Sequence, residues 1–258
     1  MGNSKGVNSH IQMPKFVLRR FNNSYNNICC YDVKNNKIVI KGNAKSINTE
    51  YNYYSDPFEK DLSKNIEKPF SDILAYIDKI EFNKEKVSIS DIYIDGIKTF
   101  MYALMARDST AMEKNKENSF YSQFIPIQKR HEFVVTHGIY YAKKKSVFED
   151  YLLTFIVNET EKSFILPIKG LYEFDINGMP AIILPISPTV AICLYDKSFV
   201  SDIFDNTETP ILKVNKPELI EKMNEVAFIT QKQRKYGYVI STQKEELYRI
   251  KEKLSICL

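Results

Sequence analysis

The sequence predicts an α+β fold, in which helices and strands occupy different stretches of the chain. Three observations support this prediction. Between about residues 65 and 116, apolar residues recur every three or four positions, as on one face of a helix. From about 150 to 195, short β-branched runs separated by turn residues replace that period. Helices and strands do not alternate regularly, as they would in a parallel βαβ fold.

The N-terminal part is predicted to contain a short helix and a hairpin. Pro14 suits the first turn of a helix, where the N–H that proline lacks would be unpaired in any case. Residues 28–33 and 37–41 are predicted to be two strands of an N-terminal hairpin. The residues between them include Asn35 and Asn36, and asparagine tolerates the positive φ of a tight turn.

The central part is predicted to be helical. One helix is expected over residues 65–82, beginning either at Asn65 or at Pro69. Its apolar stripe consists of Ile66, Phe70, Ile73, Leu74, Ile77 and Ile80. A second helix is expected to begin at Ser90 and to run toward Lys116. Its stripe consists of Ile97, Phe100, Met101, Leu104 and Met105. Residues 120–135 favour a third helix, although the pattern there is ambiguous.

The β-rich segment is predicted to contain four strands. Residues 151–157 and 163–168 are expected to form a hairpin, and residues 181–184 and 189–194 flank a rigid bend at 185–188 that contains two prolines. After this segment we expect a helix over 217–231, a strand over 236–240 and a short helix from residue 241 or 242.

Length and composition favour one cytoplasmic domain. The chain has 258 residues, and we expect residues 1–9 to be a flexible N-terminus and residues 10–258 to form a single α+β domain. It contains neither an apolar leader nor a stretch long enough to cross a bilayer, so no membrane partner is expected. The four cysteines show no metal or redox spacing and are expected to be reduced.

The net charge of +4 arises from the C-terminal segment, because the basic excess lies within residues 211–258. A sequence pI near 8.6 is lower than that of most nucleic-acid-binding domains. A solvated helical face explains this excess, with a phosphate-binding role as the alternative.

Several catalytic signatures are absent. The eight glycines form neither of the glycine-rich phosphate loops, and the sequence contains no G-x-S-x-G or H-E-x-x-H motif. The three histidines, His10, His131 and His137, are too scattered to specify a zinc site.

Three segments in order resemble the mainly bacterial family catalogued as domain of unknown function 4238. The first places a His and a Pro before an aromatic–Leu–basic–Phe run, and it consists here of His10, Pro14, Phe16, Leu18, Arg19, Arg20 and Phe21. The second is a central helix that ends in an Arg, here Arg107, followed by a short polar turn. The third covers residues 163–194 and includes the Pro-Ile-Ser-Pro bend at 185–188.

The third segment departs from the family pattern in one respect. Where the resemblance implies Thr-Ser-Asp after Phe164 and Ile165, this chain has Leu166, Pro167 and Ile168. If that Asp is catalytic in relatives, another carboxylate such as Asp175 must replace it here, or the activity is altered. The family name implies no reaction.

The candidate catalytic residues are His10, Glu59, Glu67 and Arg107, with Arg19 and Arg20 as candidate phosphate-binding residues. A histidine can act as a general acid or base near neutral pH, and an arginine can bind phosphate with two parallel bonds. Glu59 and Glu67 are eight residues apart and would share a helix face if the helix began early. A divalent metal is compatible with this set. The alternative is structural: Arg19 and Arg107 would pair with Glu67 or Asp108 in a buried network.

Two other features have simpler interpretations. Ser187 lies in the 185–188 bend without a local base, so a structural role is favoured over a nucleophilic one. Lys143, Lys144 and Lys145 are expected to form a solvated turn, with a binding patch as the alternative.

Two classes of function stay open. The first is a hydrolase that acts on nucleic acid or nucleotides, of toxin or phage-defence type, supported by the His/Arg/Glu set and the basic C-terminal segment. The second is a non-catalytic regulatory module that binds a partner protein or, on Arg19, Arg20 and Arg107, senses a phosphate ligand.

Overall fold

The fold is α+β, as the sequence predicts, in a computed structural model that describes residues 8–10, 12–47, 49–51, 54–108, 127–145, 148–199 and 208–256. Backbone contacts divide the chain into two units. The helical unit consists of Met1–Pro14, Asn48–Lys79 and Asp91–Glu149, and the sheet unit consists of Lys15–Ile47, Ile80–Ser90 and Asp150–Leu258. The organisation as one domain stays a prediction.

The elements are numbered in chain order. The strands are β1 (Asn8–His10), β2 (Ile28–Asp32), β3 (Lys37–Lys41), β4 (Thr49–Tyr51), β5 (Lys86–Val87), β6 (Tyr151–Asn158), β7 (Leu166–Pro167), β8 (Tyr172–Ile176), β9 (Met179–Pro185), β10 (Val190–Asp196), β11 (Thr209–Val214) and β12 (Tyr238–Ser241). The helices are α1 (Lys15–Leu18), α2 (Asp56–Leu62), α3 (Lys68–Ile77), α4 (Asp91–Ala106), α5 (Ile127–Lys145), α6 (Pro217–Lys232) and α7 (Lys244–Ile256).

The helical unit is built around α3 and α4. Their apolar stripes face each other, and the rings of Phe70 and Phe100 stack with centroids 3.7 Å apart. Met105 was expected in the α4 stripe but is 45% exposed, because Leu104 and Met101 already occupy the buried positions of the last turn. The helix α4 ends at Ala106 and is followed by a turn at Arg107, so it stops short of the expected end near Lys116. Residues 109–126 lie outside the described residues.

The first central helix differs from its predicted bounds at both ends. It begins at Asp56 with Pro57 in its first turn and passes through a π-helical turn, Ser63–Glu67, directly into α3. Pro69 therefore lies inside a longer helix, where a proline removes a donor and crowds the preceding turn. The helix ends at Ile77, and Phe82 packs instead edge-on against Phe155 in the sheet unit, with centroids 5.6 Å apart.

The third central helix also runs further than expected. Only residues 127–135 of the predicted 120–135 can be compared, since residues 120–126 are outside the described part, and α5 continues to Lys145. The expected turn at Lys143–Lys145 is therefore wrong. Three lysines have good helix propensity, and lysine in a last turn is favourable to the helix dipole.

The sheet unit contains two sheets. The larger has the strand order β5-β11-β6-β10-β9-β8, in which β6 and β11 are parallel and the other neighbours are antiparallel. The smaller has the order β3-β2-β12-β7, so the predicted N-terminal hairpin is extended by a strand from the C-terminal part. A shared apolar core includes residues of β2, β9, β10, β12 and α6.

The predicted hairpin between 151–157 and 163–168 is wrong. The strand β6 pairs with β10 and β11, while only Leu166 and Pro167 of the second run form a strand, which pairs with β12 in the smaller sheet. The side chain of Asn224 replaces a neighbouring strand: its Oδ1 accepts the N–H of Ile165 at 3.0 Å and its Nδ2 donates to the carbonyl of Ser163 at 2.8 Å. The backbone groups of a segment with strand-like composition can thus be paired by a side chain instead of by a neighbouring strand.

Candidate functional site

The candidate site lies in the helical unit, which contains all four predicted catalytic residues: His10, Glu59, Glu67 and Arg107. Two of them, Glu59 and Glu67, are carried by the continuous helix that starts at Asp56. Arg107 follows the last residue of α4, and His10 is the last residue of β1. The backbone of His10 pairs with Thr49, and its side chain lies outside the described part of the chain.

The π turn determines how the two glutamates are arranged. In a regular α-helix, residues eight apart differ by about 80° around the axis. In the π turn, the N–H of Lys68 bonds to the carbonyl of Ser63, five residues earlier. Each residue then advances by roughly 80° rather than 100°, which brings Glu67 back to within roughly 20° of Glu59. The sequence argument for a shared face thus has a physical basis, although the catalytic role of both residues stays a prediction.

Arg107 is the centre of the buried part of this cluster. Its guanidinium is 1% exposed and donates from Nη1 to Oε1 of Glu67 at 2.9 Å, while the Glu67 side chain is 23% exposed. The carbon Cζ of Arg107 lies 5.6 Å from the ring centroid of Tyr54. Burial disfavours the charge of Arg107, but Tyr54 and Glu67 outweigh this effect and raise its pKa. The guanidinium therefore stays charged, and its hydrogen bond holds the Glu67 carboxylate from the buried side.

Tyr54 and His131 extend the cluster. Both side chains are 4% exposed, their rings stack with centroids 5.9 Å apart, and the Tyr54 hydroxyl lies 3.5 Å from Nε2 of His131. Burial raises the pKa of Tyr54, with Arg107 acting in the opposite direction and Glu59 reinforcing it. Glu59 is partly exposed and one of its carboxylate oxygens is fully covered. The cluster thus has a covered interior of Arg, Tyr and His and two glutamates that reach solvent.

Ser55 and Glu132 fix the edge of this cluster. Ser55 precedes α2, and its N–H and hydroxyl donate to the two oxygens of Glu132, at 2.5 and 2.7 Å. A carboxylate at the N-terminus of a helix accepts donors that the helix leaves unpaired. This contact joins α5 to the start of α2 and positions His131, the neighbour of Glu132.

The predicted phosphate-binding arginines belong to the sheet unit. Arg19 is exposed, whereas Arg20 is half-buried and donates from Nε to the carbonyl of Ile186 at 2.6 Å. Arg20 therefore supports the 185–188 bend. Within that bend, the Ser187 hydroxyl accepts the N–H of Val190 at 2.9 Å, which is a turn contact.

Two basic residues of the C-terminal segment, Arg249 and Lys253, pair with carboxylates in the sheet unit. Arg249 bonds to Glu221 and, at 2.9 Å, to Glu246, and Lys253 bonds to Glu225. Arg249 in turn lowers the pKa of Glu221. The contacts of Arg249 with Glu221 and of Lys253 with Glu225 join α7 to α6. They support the interpretation that the basic excess of this segment lies on a solvated helical face.

Sequence reasoning missed Tyr54 and the place of His131 in the cluster. Tyr54 stands in a tyrosine-rich stretch with no periodic signal, and His131 is 77 residues away from it. The sequence does carry one signal of the π turn, the series Phe58, Leu62, Ile66 and Phe70, in which each apolar residue follows the last by four. In a regular α-helix such a series would move gradually around the axis, whereas a helix that contains a wider turn keeps it closer to one face.

Neither a metal site nor a membrane span is found in the part of the chain that the structure describes. Within those ranges, no three His, Cys, Asp or Glu side chains are grouped so that they could hold a metal ion. None of the helices described there has both the length and the apolar character needed to cross a bilayer.

The comparisons with known proteins support the resemblance seen in the sequence. Residues 12–137, just under half of the chain, match the model of a family described as "Protein of unknown function (DUF4238)". This range contains Glu59, Glu67 and Arg107; His10 and the β-rich segment 163–194 lie outside it. No curated protein and no solved structure matches the chain. The resemblance to the DUF4238 family is thus confirmed, and its matched range contains most of the helical unit.

Proposed function

We propose that the helical unit carries the active site of a hydrolase that acts on nucleic acid or nucleotides, with Glu59 and Glu67 as its catalytic acid and base. The observation that carries this proposal is the pair of partly exposed glutamates on one helix face, backed by Arg107 and Tyr54. Carboxylates that reach solvent can activate water and protonate a leaving group. About 12 Å of helix axis separates these two residues, so their side chains would have to converge on the substrate.

For Arg107 we propose a positioning role in place of direct contact with substrate. Its side chain is 1% exposed and donates to Glu67, so in this proposal it orients the Glu67 carboxylate. A buried ion pair contributes little net stability compared with apolar residues of the same volume. The presence of this ion pair behind a partly exposed carboxylate is therefore in keeping with a functional requirement.

The toxin or phage-defence setting stays part of the proposal, since it rests on the bacterial character of the family.

The test is a turnover assay with a matched control. Purified protein is incubated with single-stranded RNA, single-stranded DNA and a panel of nucleotides, with Mg²⁺, Mn²⁺ or Zn²⁺ and with a chelator. Products are identified by mass spectrometry, which detects cleavage of a phosphate ester and of the base–sugar bond alike. We expect Glu59→Gln and Glu67→Gln to lower kcat by about 100- to 10,000-fold, as expected for loss of a general acid or base. The exposed Glu149, in the same unit, supplies the control Glu149→Gln, which should retain full activity.

A second candidate function is a non-catalytic module that binds a partner protein. The burial of Arg107 in a closed contact with Tyr54 and Glu67 favours it, because such a network can also be structural. Absence of turnover in the wild type under all conditions, or equal turnover in both glutamine variants, would reject the hydrolase in favour of this module. The phosphate-sensing version is less supported, since Arg107 is covered and Arg20 bonds to Ile186.

A further inference from the structure

The larger sheet of the sheet unit carries a cavity of about 650 Å³ that none of the predicted site residues lines. This volume lies within the range of roughly 300–1,000 Å³ typical of small-molecule sites. Part of its wall is exposed, including Asn83 and Leu212, so solvent molecules can reach it. The other walls come from β6, β8, β9, β10 and β11.

The walls of this cavity are mainly apolar. Ile176, Met179 and Ala181 line one side, from the hairpin β8–β9, and Pro210 and Ile211 line another, from β11. An apolar surface of this kind favours ligands that lose water from an apolar body on binding.

The polar groups at the inner end are buried and neutral. Thr154, Cys193 and Tyr195 are 5%, 0% and 7% exposed. Burial raises the pKa of the Cys193 thiol to about 12 and also raises the pKa of Tyr195. Neither side chain therefore ionises near neutral pH. A charged ligand group at this end would be buried without a counter-charge, which is strongly unfavourable.

The Tyr195 hydroxyl is covered by protein atoms and lies next to the Thr154 hydroxyl. The Thr154 hydroxyl donates to the carbonyl of Pro210 at 3.2 Å. The buried Tyr195 hydroxyl lies beside Thr154 but makes no hydrogen bond of good geometry within the described part of the chain. A ligand that displaces the atoms covering this hydroxyl and offers it an acceptor gains a hydrogen bond.

The cations near the cavity do not change this conclusion. Lys213 is tied to the carbonyl of Asn83 at 3.1 Å and to Glu159 at 3.7 Å. Glu85 and Lys86 both line the cavity, so this part of the wall carries one negative and one positive charge.

We infer that this cavity binds a small, uncharged, mainly apolar molecule whose hydrogen-bond acceptor meets the Tyr195 hydroxyl. The site is independent of the proposed hydrolase, since it lies in the other unit and uses none of its residues.

The test uses prodan, a neutral naphthalene ketone whose emission shifts to the blue on entering an apolar site. We expect saturable one-to-one binding to the full chain. We expect Tyr195→Phe to weaken binding roughly threefold to tenfold, as for one lost hydrogen bond. Tyr25→Phe, which makes the same change at an 81% exposed tyrosine, should have no effect.

A second pair of variants locates the bound probe. Met179→Trp enlarges a half-buried side chain of the cavity wall and should abolish binding. Ile229→Trp adds the same ring on the exposed face of α6 and should leave binding unchanged. Anilinonaphthalenesulfonate, an anionic probe of similar size, should bind at least tenfold more weakly. The inference is overturned by non-saturable binding, by unchanged binding in a folded Met179→Trp variant, or by equal affinity for the anionic probe.

Discussion

The two units bury polar groups in different ways. In the helical unit the charged Arg107 is itself covered, together with Tyr54 and His131. In the sheet unit Arg249 is 40% exposed, although its partner Glu246 is covered at 5% exposure, and the side chains of Asn224 and Cys193, which are 0% exposed, are neutral. Burying a cation costs far more than burying a hydrogen-bonded amide. A covered cation of this kind is in keeping with the functional role that we propose for the cluster of the helical unit.

The largest expected effect comes from removing the buried cation. Arg107→Met leaves Glu67 and Tyr54 without their partner, and we expect a loss of about 3–5 kcal/mol in the free energy of unfolding. Denaturant unfolding measures this change. The double variant Arg107→Met with Glu67→Gln should recover part of the loss, because the uncompensated carboxylate is removed as well. A loss below about 1 kcal/mol in the single variant would show that the pair is unimportant for stability.

A smaller loss is expected on removing the buried amide of Asn224 in the sheet unit. Asn224→Ala leaves the N–H of Ile165 and the carbonyl of Ser163 buried without their partners, and should cost about 2–3 kcal/mol. The exposed Asn215 supplies the control, and Asn215→Ala should change stability by less than about 0.5 kcal/mol. Equal effects of the two substitutions would mean that Asn224 does not replace a strand.

The smallest effect separates backbone strain from packing at two glycines of the sheet unit. Gly178 and Gly237 have φ of +84° and +81°, so alanine at either position is strained by about 1–2 kcal/mol. A Cβ at Gly178 would point into open space, whereas at Gly237 it would lie 2.7 Å from Cγ2 of Ile168. Thermal unfolding should therefore show a lower Tm for Gly237→Ala than for Gly178→Ala. The reverse order would contradict the described packing of the Gly237 turn.

The helices and strands that depend mainly on local sequence pattern were predictable from the sequence. The helix α6 extends one residue beyond its expected range, and the hairpin β2–β3 turns at Asn36 with a φ of +48°. The failures arise where tertiary contacts override local preference. Residues 163–165 have strand composition but pair with Asn224 and with the carbonyl of Pro188. The expected start at Asn65 or Pro69 was wrong because the apolar spacing of four continues back to Phe58 and the helix begins at Asp56.

The candidate site was predictable in its residue types but not in its arrangement. Helix periodicity places Glu59 and Glu67 roughly on one face, and the only sequence signal of the π turn that improves their alignment is the constant spacing of four from Phe58 to Phe70. The contact of Arg107 with Glu67 spans 40 residues, and that of Tyr54 with His131 spans 77. Contacts of that separation depend on the packing of α2, α4 and α5, which periodicity alone does not specify.

The measurement that tests the central claim most directly compares stability with activity in Glu59→Gln. If Glu59 serves function and not folding, the variant should keep the wild-type Tm or exceed it, because active-site groups are often unfavourable for stability. Its turnover should fall by at least about 100-fold in the same preparation. A Tm several degrees below that of the wild type, with turnover reduced only in proportion to the unfolded fraction, would contradict the account and assign the cluster a structural role.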